Sequence, residues 1–254
     1  MRKSNVLLDT WTMSKRSLRI TFRNPEAFGA AIIIPAFVML LFGLVFNNVM
    51  DMGSYTVIDF IVPGIILQTI AQGVTFSAIN VNNDMMKGII DRFRSMPISK
   101  SAVLTGHVIA ALVRSMITAA VAIGIAILIG FRPQASVVDW LIIAGVLALF
   151  IVAITWIGVI CGLIAKAPES AGTYPFLLFL LPYISSGFAP IETLPSGLQW
   201  FAAHQPMTPI IDSLRALMLG TPTGNALSIA LIWGAGITLV TFSIAVQLYK
   251  RKLS

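Results

Sequence analysis

Apolar runs long enough to cross a lipid bilayer fill most of this chain, and that feature leaves few folds open. Such runs lie at 27–46, 58–79, 107–130, 140–165 and 226–249, with a shorter one at 173–188. About eighteen consecutive apolar residues already suffice for a membrane helix. In hydrocarbon every backbone N–H and C=O must be satisfied within the protein, so spanning segments are helices or closed barrels. Runs of twenty residues match helices, whereas barrel strands need only about ten. Charged residues make up 11% of the chain, under half of the roughly 25% usual in a soluble domain. The expected fold is an all-α membrane protein, one domain over 1–254 with six transmembrane helices.

The basic residues test that count. Arg2, Lys3, Lys15, Arg16, Arg19 and Arg23 precede the first run, and Lys87, Arg92, Arg94 and Lys100 lie between the second and third. Lys166 follows the fourth, and Lys250, Arg251 and Lys252 follow the sixth. With six crossings all of these fall on one side, leaving Arg132 and Arg215 on the other and Arg114 inside the third run. The positive-inside rule makes the rich side the cytoplasm. A multi-pass protein of the cell membrane, with both termini cytoplasmic and lipid as its surroundings, is expected. The net charge of +7 sits at the edges of apolar runs rather than on a basic face, so no nucleic-acid partner is expected.

Three segments fall outside the runs. In 1–26, Val6, Leu7, Trp11, Met13, Leu18, Ile20 and Phe22 interleave with Lys15, Arg16, Arg19 and Arg23. That suits an amphipathic helix on the membrane surface; a solvated basic tail is the alternative. In 80–101, Met85, Met86, Ile89, Ile90 and Phe93 recur at helical spacing, opposite Asp84, Lys87, Asp91, Arg92 and Arg94, until Pro97. Such a helix docks in a partner's groove or rests on the bilayer, and the pattern does not choose. In 189–225, Pro190, Pro195, Pro206 and Pro209 separate apolar groups such as Trp200 and Phe201, and Gly220 closes the stretch 210–219. Short helices dipping into the outer leaflet, buried against protein, are expected there.

Chemistry is scarce. No Gly-Lys pair occurs, which removes the P-loop signature, so the chain is not expected to be an enzyme or to bind a cofactor. Cys161 is the single cysteine, and His107 and His204 lack nearby companions in sequence, so no metal site is expected. No catalytic residue is assigned: Ser185 and Ser186 lie outside any G-x-S-x-G motif and are expected to bond to backbone. Within the runs the ionisable suspects are Asp59, at the outer edge of the second, and Arg114, within snorkelling reach of the inner interface. Gly158-x-x-x-Gly162 permits close helix packing. An ion-coupled carrier is disfavoured because the runs hold no relay of acids or histidines.

The motifs Phe60-Ile61-Val62-Pro63-Gly64-Ile65 and Gly88-Ile89-Ile90-Asp91-Arg92-Phe93-Arg94-Ser95-Met96-Pro97-Ile98 resemble the ABC-2 type permeases, in the branch of daunorubicin-resistance-type drug exporters. So does Pro206-Met207-Thr208-Pro209 followed by Asp212-Ser213-Leu214-Arg215-Ala216-Leu217 and Gly220. The resemblance implies a half-transporter that pairs with a second permease, a copy or a paralogue. A separate ATPase subunit would bind ATP and Mg. It makes 85–97 the helix that docks on that ATPase, through Met85, Met86, Ile89, Ile90, Asp91, Arg92, Phe93, Arg94 and Pro97. It makes 1–26 the connecting helix and 189–225 the re-entrant segment. Gln68, Gln72 and Phe76 with Phe176, Phe179 and Tyr183 are the pathway candidates for an apolar or amphipathic drug, antibiotic or peptide. A lipid-linked or polysaccharide cargo is the alternative.

Overall fold

The computed structural model describes residues 6–22, 25–45, 55–87 and 100–253. The described chain is helical, with no strand. Helix α1 covers Val6–Phe22, and α2 covers Pro25–Leu40 and closes in a π-helical turn, Leu41–Val45. Three long helices follow: α3 Val57–Met86, α4 Lys100–Ile129 and α5 Val137–Ile164. Short helices α6 Pro168–Thr173, α7 Phe176–Leu180, α8 Ser196–His204 and α9 Met207–Leu219 come next, and α10 Ala226–Leu253 ends the chain.

Among the described residues four helices are long and apolar enough to cross a membrane: Val57–Met86, Val103–Ile129, Val137–Ile164 and Ala226–Lys252. They answer to the second, third, fourth and sixth runs. The first run is helical from Pro25 to Val45, and Ile32–Gly43 is its apolar stretch among the described side chains. The fifth differs from the single helix expected over 173–188. It breaks into α6, α7 and a 3-10 turn, Leu181–Ile184. Pro175 and Pro182 cause the break, since each removes an N–H and crowds the carbonyl four residues back. Pro63 stands inside α3 without ending it. The surrounding helices hold that region, where every residue from Ile61 to Ile70 is buried.

Helix α3 is the hub. Its most apolar stretch is 78% buried, against 22–39% for the other three long helices. It packs on α2, α4, α5, α6, α7 and α9, and Ile61, Ile65, Ile66, Leu67 and Ile70 are sealed within the main core. Helix α10 is the opposite case: Ile232, Leu239 and Val240 lie exposed on it, as side chains facing lipid do. Its inward edge seats Trp156 of α5 edge-on to Phe242 at 5.0 Å.

The Gly158/Gly162 pair makes the α5–α3 seam. A methyl on Gly158 would meet Val74 Cγ1 at 2.6 Å, and one on Gly162 would meet the Ala78 carbonyl at 2.5 Å. Asn82 stitches the same seam, donating from Nδ2 to the carbonyls of Gly162 at 3.1 Å and Ala165 at 2.8 Å. The sequence permitted close approach there, and the contact is within this chain.

The basic segments gather at one end. Val81 of α3, Leu104 and Val108 of α4 and Tyr249 of α10 form one cluster there. Asn82 brings the C-terminal end of α5 to the same level. At the far end Gln134 N donates to the Met218 carbonyl at 2.8 Å, so Arg132 and α9 lie together. Replacing Gly162 with leucine should force α5 away from α3 and lower stability by about 1–3 kcal/mol, the usual overpacking range. A thermal melt of the purified chain in detergent checks this, and an unchanged midpoint would refute the seam.

Candidate functional site

The coupling segment expected at 80–101 starts differently from the sequence reading. Residues 80–86 prolong α3 without a break, because Asn80 to Met86 carry no proline or glycine to stop it. Met85 is half-buried against the cluster around Leu104 and Tyr249, while Met86 is exposed. Ile89, Ile90, Asp91, Arg92, Phe93, Arg94 and Pro97 lie outside the described residues.

Asp84 does not belong to a solvated polar face; it is 5% exposed. Arg16 of α1 grips it with a two-pronged contact, Nη1 to Oδ2 at 2.7 Å and Nη2 to Oδ1 at 2.8 Å. His107 Nε2 of α4 lies 3.1 Å from Oδ2. Burying the carboxylate is tolerable because opposed charge and hydrogen bonds surround it. The hydrogen bond to Asp84 in turn raises Arg16 above the ordinary arginine value. Helix α1 reaches this position because Gly106 of α4 lets Met13 come within 2.7 Å of where a Cβ would stand. Its face toward the bundle is therefore Met13, Ser14 and Ser17, while Trp11 is 67% exposed.

Arg114 also departs from expectation. Instead of snorkelling to the interface it is 8% exposed. It donates from Nη2 to the Gly73 carbonyl at 2.5 Å and to Ser77 Oγ at 3.2 Å on α3. Its guanidinium carbon lies 5.8 Å from the centre of the Phe76 ring. Small residues on α3 leave the space, and a backbone carbonyl supplies the acceptor. Arg16, Asp84, His107, Arg114, Ser77 and Lys87 surround a polar cavity of about 250 Å³.

Of the pathway candidates, Gln68 and Tyr183 meet, the amide Nε2 donating to the tyrosine hydroxyl. Gln68, Gln72 and Phe76 stand four residues apart and so share one face of α3. Gln68 is buried and Gln72 and Phe76 are half-buried. Phe176 stacks on Phe179 at 5.6 Å, Phe179 meets Tyr183 at 6.0 Å, and Tyr183 stacks on Phe188 at 4.6 Å. Phe42 of the π-helical turn closes the row, 5.7 Å from Phe188. Phe76 is held instead by the Arg114 contact.

At the far end Arg215 is the organising group. It donates from Nε and Nη2 to the Phe60 carbonyl at 3.1 and 3.0 Å, and from Nη2 to the Ser186 carbonyl. Its guanidinium lies 3.8 Å over the Phe60 ring. Asp212 accepts from Arg215 Nη1 at 2.8 Å and from Ser186 Oγ at 2.6 Å. Burial pushes the Asp212 carboxyl up, opposed by those two partners. Ser185 Oγ donates to the Pro182 carbonyl at 2.6 Å, the backbone bond expected of it. Gly64 and Gly187 allow the contact: a methyl on Gly64 would stand 2.5 Å from the Gly187 carbonyl oxygen. The sequence shows Asp212 and Arg215 one turn apart, but nothing in it pairs them with Phe60 or Ser186.

None of these groups forms a metal-binding cluster among the described residues. Replacing Asp84 with alanine should leave the half-buried Arg16 and the buried His107 without their acceptor and cost about 1–3 kcal/mol. Hydrogen exchange over 6–22 should accelerate with it. Unchanged exchange in α1 would show that the ion pair does not hold that helix.

Residues 9–219 match the family model for the ABC-2 type transporter. The chain is 27% identical to the daunorubicin resistance ABC transporter permease protein DrrB1 of Streptomyces coeruleorubidus, over 87% of this chain and 78% of that protein. It is 26% identical to the probable doxorubicin resistance ABC transporter permease protein DrrC of Mycobacterium tuberculosis, over 83% and 76%. It is 24% identical to the inner membrane transport permease YadH of Escherichia coli, over 74% and 75%. With its long apolar helices bundled about α3, this chain belongs to the ABC-2 type transporter family of membrane permeases.

Proposed function

We propose that this chain is the membrane-spanning subunit of an ATP-driven exporter for an apolar or amphipathic small molecule such as a drug or antibiotic. It would work with a separate ATPase subunit and a second permease, a copy or a paralogue. The observation that carries this reading is the single unbroken helix α3, Val57–Met86. At 1.5 Å per residue it is about 45 Å long. One end enters the segment 88–99 and the other is gripped by Arg215. A rod of that kind carries a push at one end to the opposite end. Force applied by an ATPase at 85–97 would thus reach the broken segment beside Gln68 and the clamp at Phe60.

Six crossings with both termini cytoplasmic remain our reading of the topology, with two lengths in support. Residues 25–45 at helical rise cover about 31 Å, close to the roughly 30 Å of the hydrocarbon layer. The broken fifth segment descends beside α3, with Gly172 near Ile79, Tyr183 at Gln68 and Gly187 at Gly64. From Ile79 to Gly64 α3 rises about 22 Å, so the segment covers most of the bilayer although it is not one helix. The aromatic row 176–188 favours a flat apolar cargo, and the relatives named for daunorubicin and doxorubicin resistance support that class. A glycan path would need such rings along the full membrane height, whereas this row lies beside the Gln68 half of α3.

Replacing Arg92 or Phe93 with alanine should uncouple ATP hydrolysis from export while the permease still inserts. Co-purification with the ATPase and the ATPase rate of the reconstituted complex read this out. Normal assembly together with normal transport in both variants would defeat the docking assignment.

A further inference from the structure

The polar cavity at the basic end contains more positive charge than the described residues neutralise. Arg16, Lys87 and Arg114 line it, and Asp84 is the one carboxylate among its described lining residues. Asp84 is already engaged by Arg16 and His107. Arg114 has no carboxylate partner among the described residues, and its side-chain hydrogen bonds to them all run from Nη2 to α3. Its Nε and Nη1 donate to no described residue. Neither is sealed off, since Asn82 Oδ1 is the one fully buried side-chain polar atom without a partner among the described residues. A guanidinium in that state is costly in a low-dielectric place unless an anion completes it.

We propose that this cavity is a binding site for a phosphate group, supplied by the headgroup of an anionic phospholipid. Nε and Nη1 of Arg114 lie on different edges of the guanidinium, so each offers a phosphate oxygen one charge-assisted hydrogen bond. Lys87 adds a mobile ammonium at the rim, and Ser77 with His107 adds neutral hydrogen-bonding groups. The volume of about 250 Å³ equals that of roughly eight water molecules, enough for a phosphate and its nearest waters. The surroundings favour a lipid over a soluble anion. Ala110 lines the cavity, and Val113 and Ile117 continue its stripe along α4, both exposed. That stripe leads from the cavity toward the apolar middle of the helix, where acyl chains would lie. Helix α1, with exposed Trp11, Lys15 and Arg19, forms the neighbouring wall. A headgroup there would touch α1, α3 and α4 together, so lipid composition would set how firmly the α3 end that leads into 88–99 is held.

The test uses the purified full-length chain in detergent, titrated with phosphatidylglycerol, with phosphatidylcholine of the same acyl chains, and with sodium phosphate. Native mass spectrometry counts bound lipid. One phosphatidylglycerol should bind per chain ahead of the bulk, and Arg114→Gln should weaken it about tenfold, the loss of one charge-assisted contact. Lys87→Gln, at an exposed position where folding is not at stake, should weaken it several-fold, while Arg132→Gln at the opposite end should leave it unchanged. Displacement of the lipid by millimolar phosphate in wild type, and not in Arg114→Gln, would support the phosphate site with the soluble anion as a competing source. Equal uptake of both lipids that ignores Arg114 and Lys87 would overturn the proposal, as would binding of neither lipid nor phosphate.

Discussion

The structure depends on surrounding one helix with the others. In lipid no water is present to solvate a stray carbonyl or charge, so α3 can hold Pro63, Gln68 and Asp84 only because other parts of the chain cover and satisfy them. Glycines make the cover possible. Gly158 and Gly162 let α5 lie against Val74 and Ala78, and Gly64 meets Gly187 at the far end. Association of helices in a bilayer gains little from the hydrophobic effect and relies on such close contact and on hydrogen bonds.

Three arginines from three different helices then fasten α3 at three levels. Arg16 of α1 takes the Asp84 carboxylate, Arg114 of α4 takes the Gly73 carbonyl, and Arg215 of α9 takes the Phe60 carbonyl. Arginine suits the task because its fork remains charged and can satisfy more than one acceptor at once. The helices carrying these side chains are not neighbours in sequence, so the hub gathers remote segments to itself. Around it the fifth segment stays irregular, and its aromatic rings rather than a continuous helix ladder give it shape.

The fold was legible where a property is local. Long apolar runs gave α3, α4, α5 and α10, and the distribution of lysine and arginine gave the end at which their basic flanks meet. The prolines of 173–188 were visible, yet the run was expected to stay one helix as α2 and α3 do with Pro35 and Pro63. The difference is in the surroundings: Pro63 sits where core side chains close on every side, whereas Phe176, Leu177 and Tyr183 are exposed. Asp84 carried a helical-spacing signal for a solvated face, and a partner 68 residues upstream reversed it.

By itself the sequence determined that this protein needs a membrane, that its basic residues gather at the edges of its apolar runs, and that no Gly-Lys pair of a P-loop occurs in it. Those properties follow from how much apolar surface a chain has and where its charges stand, which any conformation inherits. Only the tertiary structure decided which polar groups are neutralised and which are not. It paired Gln68 with Tyr183, Asp84 with Arg16, and Ser186 with Asp212, and it set Arg114 in the lining of a polar cavity. Pairings of this kind depend on distances between residues far apart along the chain, and no periodicity records them.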